Sequence, residues 1–206
     1  MLTLSYIIFL SPKELIFKMN KNHEFVNSFA EVSDELFAEL LHISEFKIIE
    51  PGTQIVRLGE VASKMYLLRS GVIRCYLSTE SGKEFNKSFY LPTCFVASLT
   101  SLIKGEPSLF VFETITECKL YEIDYEKFMK LCAEKAKLNM LYSTILEHTY
   151  MKYEKRLVEL ISLNAKERYK ELQILIPEID DLIPQYHIAS YLGITPVQLS
   201  RIRKKQ

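Results

Sequence analysis

The 206-residue chain balances 26 Lys and Arg against 26 Asp and Glu, so its formal net charge is zero. No global field draws it to nucleic acid or to an anionic membrane, and any such role has to come from local clustering. With 48 % hydrophobic and 25 % charged residues, the composition supports a sizeable core, in one large domain or in a medium domain plus a small one, and argues against wholesale disorder.

The first residues, MLTLSYIIFL, are apolar. The run is far shorter than the ~20 residues that cross a bilayer, and it lacks the basic start and small-residue cleavage site of a signal peptide. Met19 opens a stretch of ordinary globular texture, so residues 1–18 read as a peripheral extension or as the product of a misassigned start, and 1–24 are set apart as an N-terminal extension. DELFAELLHISEF then has helical spacing, with Ser33 or Asp34 as N-cap.

Five of the six glycines (Gly52, Gly59, Gly71, Gly82 and Gly105) fall between residues 50 and 106. Between them lie TQIVRL, KMYLLRS, VIRCYLST and EFNKSFYL, followed by SLFVFETITECKLYEI. Each is rich in β-branched and aromatic residues and bounded by turn signals such as EPG, LGE, RSG and ESGK. Closely spaced short strands of this kind build a sandwich or barrel, here assigned to residues 25–130. The cysteines (Cys75, Cys94, Cys118 and Cys132) show no CxxC or paired spacing and read as reduced, mostly buried thiols.

The stretch 124–163 contains neither Gly nor Pro. Its apolar positions recur at helical spacing through Leu138, Leu141, Ile145 and His148, then Leu157, Leu160 and Ile161. A stripe of that length is expected to bury against a second copy of the same helix, which makes 131–163 a dimerisation helix with Leu138, Leu141, Ile145 and His148 in the seam; packing against the chain's own β domain is the alternative.

Residues 164–206 form the terminal unit. Asn164 and Glu167 have capping-box spacing for a helix that runs towards Pro177. The chain closes on QYHIASYLGITPVQLSRIRKKQ, which reads as two helices joined at GIT. Ala189 is small where the helices cross, Gly193 suits a left-handed turn, Thr195 is an N-cap and Pro196 occupies the first helical position. This combination fits a helix-turn-helix. With Leu199 and Ile202 pointing inward, the outer side keeps Pro196, Val197, Gln198, Ser200, Arg201 and Lys204. Arg201 suits a bidentate pair with guanine, Thr195 and Gln198 a base or phosphate, and Arg203, Lys204 and Lys205 phosphates.

RLGE-x5-YLLRSGVIRCYLSTESGKE and IASYLGIT-x3-LSRIRKK resemble the β-roll and the helix-turn-helix of the Crp/Fnr family of bacterial transcription regulators, over roughly Phe25 to the end of the chain. ERY and IPQYHIASYLGIT are similar to the Bacteroidetes branch. The resemblance implies an α+β chain: an N-terminal double-stranded β-helix (jelly-roll) effector domain, a long dimerisation helix and a C-terminal helix-turn-helix. It implies a cytoplasmic homodimer on a near-palindromic duplex, with RNA polymerase and an unidentified small-molecule effector as further partners, and no membrane. The family's base-reading positions fall on Pro196, Val197 and Arg201; Val197 stands where many relatives have glutamate, which favours a thymine methyl.

On the effector side, the matching stretch is CFVASLTSLIKGEPSLFVFE, and Phe95, Ala97, Ser98, Leu99, Ser108 and Leu109 are the expected pocket residues. Ser98 replaces the ribose-holding glutamate of cyclic-AMP-binding relatives, and Ser108 falls at or near their phosphate-holding arginine. Cyclic AMP is therefore not expected to bind tightly. No cofactor or metal is expected: no cysteine precedes Cys75, no histidine sits in a haem context, and residues 50–125 hold no histidine for a cupin-type metal enzyme or a nucleophilic one. The competing reading is a ligand-binding or protein-interaction module that has lost specific DNA binding.

Overall fold

The computed structural model describes residues 23–204. The apolar N-terminal run, the choice between Met1 and Met19, and Lys205 lie outside them. Ser33 caps α1 (Asp34–His42), its hydroxyl accepting from the Leu36 amide. The helical reading of DELFAELLHISEF was too long: the chain turns at Ile43, and Ser44–Ile49 becomes β1.

Seven further strands follow: β2 (Gln54–Val56), β3 (Lys64–Ser70), β4 (Ile73–Ser78), β5 (Glu84–Tyr90), β6 (Cys94–Val96), β7 (Val111–Thr114) and β8 (Cys118–Asp124), with a short helix, α2 (Leu99–Lys104), between β6 and β7. They form two four-stranded antiparallel sheets, ordered β1-β8-β3-β6 and β2-β7-β4-β5. SLFVFETITECKLYEI is thus two strands in different sheets, broken where the chain crosses at residues 115–117. Leu68, Ile73, Phe112 and Leu120 fill the space between the sheets. In β4, four consecutive residues from Ile73 to Tyr76 are buried, because a terminal helix covers the strand's outer face.

Gly71 makes the β3–β4 turn with φ +90°, and a Cβ there would lie 2.2 Å from the Glu117 carbonyl oxygen. Only glycine meets both demands.

Asp124 caps α3 (Tyr125–Glu134), and Lys135 breaks the helix with φ −122° and ψ 100° before α4 (Ala136–Ser162). The helix expected from residue 131 therefore begins at 136. Leu138 and Leu141 are buried in the β-domain core, Ile145 packs on it, and His148 lies edge-on to Phe29 with ring centroids 5.3 Å apart. Leu138, Leu141 and Ile145, expected in a seam with a second copy, are used by their own roll, as the alternative reading had it, while His148 stays exposed. The reason is geometric: the first turns of α4 run directly beneath the roll. Beyond them the helix leaves Tyr150, Met151, Leu157, Val158 and Ile161 exposed, Ile161 at 77 %.

α5 (Ala165–Leu175) starts from the capping box, with the Asn164 side chain accepting from the Glu167 amide and Glu167 accepting from the Asn164 amide. α6 (Ile179–Leu182), α7 (Gln185–Leu192) and α8 (Pro196–Arg203) complete the chain around Tyr169, Ile179, Ile188, Leu192 and Leu199, all fully buried. Among the described residues, no helix is long and apolar enough to cross a membrane.

Gly193 also has positive φ, but nothing lies within 4 Å of a Cβ built on it. Gly193→Ala is expected to cost about 1–2 kcal/mol, the price of a left-handed L-residue, and Gly71→Ala clearly more, because backbone must shift. Thermal unfolding checks this: equal melting shifts for the two variants contradict the packing described at Gly71.

Candidate nucleic-acid interface and effector pocket

The α7–α8 turn is closed by backbone bonds from the Ile194 amide to the Ala189 carbonyl (3.0 Å) and from the Gly193 amide to the Ser190 carbonyl (3.1 Å). Ala189 is fully buried at the crossing. Thr195 then caps α8, with Pro196 at its first position. With Leu199 fully buried and Ile202 partly so, the rotation of α8 is fixed, and Val197, Arg201 and Lys204 face outward, Val197 at 61 % exposure. Pro196 is exposed at the leading end and Ser200 is half-buried. Among the described residues, Arg201 has no hydrogen-bond or ion-pair partner.

Three residues assigned to DNA contact are engaged inside the protein. Gln198 Oε1 accepts from the Thr195 amide (2.9 Å) and hydroxyl (3.1 Å), while that hydroxyl accepts from the Gln198 amide (3.2 Å), so both side chains serve the helix start. Arg203 forms an ion pair with Asp180 and donates from Nε to the Tyr169 hydroxyl (3.1 Å), which fastens α8 to α5 and α6. It is a structural cation in this arrangement.

α7, the first helix of the motif, is held against the β-roll by contacts that sequence reasoning missed. Tyr191 packs on Phe89 at 5.3 Å between ring centroids. The Ser190 hydroxyl donates to the Glu84 carbonyl (2.9 Å) and accepts from the Asn86 amide (3.0 Å). Arg74, only 5 % exposed, donates to Glu113 (2.8 Å) and Glu84 (2.5 Å) and meets His187 Nδ1 at 3.1 Å. Burial first, and the Arg74 guanidinium second, push the His187 pKa down to about 4. At the other end of α7, Arg156 donates to the Tyr191 carbonyl (2.6 Å) and Arg168 to the Leu192 carbonyl (2.9 Å). Two arginines thus satisfy open carbonyls where the helix dipole favours cations.

The expected effector residues Phe95, Ala97, Ser98, Leu99, Ser108 and Leu109 all line one cavity of about 700 Å³. Its walls also include Phe29 from the segment before α1, Tyr90, Phe110 and Phe112 from the roll and Tyr142 and Ile145 from α4. Ser98 and Ser108 are buried and joined by a hydroxyl–hydroxyl bond of 2.8 Å. Lys104 stands outside on the α2 loop beside Glu106. Burial holds the Cys75 and Cys94 thiols up at about 12, so neither is a reactive thiolate. Among the described residues, no cluster of His, Cys, Asp and Glu could hold a metal ion.

Fold and site together define a cyclic-nucleotide-binding-type β-roll joined through a long helix to a helix-turn-helix. The model of the cyclic nucleotide-binding domain matches residues 46–135. An anaerobic regulatory protein of Aggregatibacter actinomycetemcomitans is 24 % identical over 172 residues, which are 78 % of this chain and 66 % of that relative. The chain therefore spans just under two thirds of that relative's length. In fold it is similar to the c-di-GMP responsive global regulator CLP of Xanthomonas campestris (TM-score 0.65, 17 % identity, covering 82 % of this chain and 88 % of that one). It is equally similar to a protein of Eubacterium rectale described as a transcriptional regulator of the crp/fnr family (TM-score 0.67, 14 % identity, 84 % and 83 % covered). Residues 46–135 thus match a cyclic nucleotide-binding domain, within a chain whose fold is that of Crp/Fnr-type regulator structures.

The groups around His187 give a pH prediction. It faces Arg74 on β4, Asn86 and Glu84 on β5, and Glu113 on β7. Because the folded pKa lies below the unfolded value of 6.5, the unfolded chain takes the proton first. The contribution is present above pH 6.5 and is lost as pH falls from there towards 4. Urea unfolding of wild type and His187→Gln is expected to show a stability difference that is flat above that window and shrinks or reverses within it. A pH-independent difference contradicts the assignment.

Proposed function

We propose that the chain is a homodimeric DNA-binding transcription regulator that reads a near-palindromic site in the cytoplasm. The observation that carries this reading is the outer face of α8. On a helix with a locked rotation, Val197, Arg201 and Lys204 are presented together, and Arg201 is free of any partner among the described residues. Such a face suits a major groove: an arginine for guanine O6 and N7, an apolar branch for a thymine methyl and a lysine for phosphate.

The second half of α4 supports the dimer. Met151, Val158 and Ile161 recur at near-heptad spacing on the exposed side, opposite the face that serves the roll. Two copies joined there are related by a twofold axis, and their recognition helices address successive major grooves, about 34 Å apart. The α7–roll contact makes the state of the roll felt by the recognition helix, and a ligand shifts that equilibrium only by its differential affinity for the two arrangements.

Cyclic AMP is not the signal in this reading. A buried phosphate needs a cation or several converging donors, and the Ser98–Ser108 pair offers neither. Titration calorimetry is expected to show no tight binding of cyclic AMP, and micromolar affinity contradicts this.

Selection of sites from a random duplex library, with wild type and Arg201→Ala in parallel, tests the main reading. Wild type is expected to enrich a dyad with half-sites about 10 base pairs apart. The variant is expected to lose about 1–3 kcal/mol at one position of each half-site. No enrichment at low salt by folded protein, or an identical motif from both, overturns it.

A further inference from the structure

We propose that the β-roll cavity takes an amphipathic anion: a long-chain or aromatic apolar body inside, with a carboxylate-type head between Lys87 and Lys152. The inference rests on the reading of the roll as a sensor and names the chemistry it senses.

The cavity's depth is apolar. At about 700 Å³ it lies within the roughly 300–1,000 Å³ that accommodates a small organic ligand. Phe29, Phe95, Phe110, Phe112, Tyr142 and Ile145 dominate its walls. Its central polar groups are already spent. The Ser108 hydroxyl donates to the Phe110 carbonyl (2.8 Å) and accepts from the Phe110 amide (3.2 Å). A hydroxyl has one hydrogen, so the 2.8 Å bond between the two serines uses the hydrogen of Ser98. No donor remains there for a phosphate or a sugar, and burying such groups unpaired is costly.

The charge sits at one end. Lys87 Nζ lies 4.2 Å from the Phe110 ring centroid and 4.7 Å from that of Tyr153, and Lys152 Nζ lies 5.3 Å from that of Tyr90. Lys87 thus stands over Tyr153 and Lys152 over Tyr90, and all four residues line the same cavity. Neither lysine is paired with a carboxylate among the described residues, whereas Lys104 and Glu106 at the rim pair with each other. Lys87 reaches this place because the β4–β5 register skips it: Cys75 pairs with Ser88 and Tyr76 with Asn86. A bulge re-aims a side chain in this way. It lets Asn86 and Phe89 meet α7 while Lys87 and Tyr90 line the cavity. An anionic head here joins β5 to α4, the two elements that hold α7 and carry the exposed apolar stripe.

Decanoate, kept below its micelle concentration, and neutral decan-1-ol are the probes, titrated calorimetrically against the full chain. Decanoate is expected to bind wild type about ten-fold more tightly than decanol or better, the worth of a charge-assisted bond. Lys87→Gln/Lys152→Gln is expected to bring decanoate down to the level of decanol, leaving decanol unchanged. Both substitutions are at positions outside the core, and a matching thermal melt verifies folding; if the double variant melts early, Lys152→Gln alone carries the comparison. Equal affinity for the two probes, no binding by folded wild type, or indifference to the lysine substitutions overturns the proposal. The duplex selection runs separately. A dyad without decanoate selectivity removes this inference alone, and decanoate selectivity without any duplex enrichment removes the regulator reading alone.

Discussion

Everything in this chain hangs on α4 having two apolar faces with two different destinations. A 27-residue helix cannot bury its whole circumference against a roll of eight short strands. Its first turns give Leu138, Leu141 and Ile145 to the roll, and the later turns carry Met151, Val158 and Ile161 into the open. Intrachain packing makes the helix a rigid extension of the sensor. The open face is where the proposed second copy binds, and in that dimer the helix relates both rolls to both terminal units. Remove the first face and the roll loses its covering element; remove the second and, in the proposed dimer, α8 would address only half a site.

The second constraint is polar. The terminal unit builds its own core around Tyr169, Ile188 and Leu199, yet its position is set by hydrogen bonds to the roll from Ser190 and His187 and by two arginines on the α7 carbonyls. Arg74 is central there. Buried, it carries two carboxylates, and removing one partner of such a cluster leaves an uncompensated charge. The β5 strand thereby faces two ways, towards the cavity through Lys87 and Tyr90 and towards α7 through Asn86 and Phe89. The cavity and α7 are joined through β5 and, by way of Arg156, through α4.

Local signals made much of this legible. The Asn164 box, the left-handed Gly193 and the Thr195–Pro196 start are short-range devices, and the backbone follows each of them. Glycine punctuation marked β2 to β5 but missed β1 and β6 and merged β7 with β8, and the six pocket residues placed by resemblance surround one cavity. Long-range pairing was not legible. The Arg74–His187 contact joins residues 113 apart, and the bulge at Lys87 depends on register with another strand. The same limit explains the misassigned seam. Periodicity identified Leu138, Leu141, Ile145 and His148 as one stripe but could not choose between a second copy and the chain's own roll, which takes the first three. Arg203 shows it for charge: a basic run reads as phosphate contacts until Asp180 and Tyr169 are seen beside it.

The division of labour on α4 is the central claim, and sedimentation equilibrium tests it most directly. Wild type is expected to sediment at twice the chain mass, and Val158→Glu/Ile161→Glu at the chain mass while keeping wild-type helical content. A monomeric wild type, or a double variant that remains dimeric, contradicts the account of the long helix.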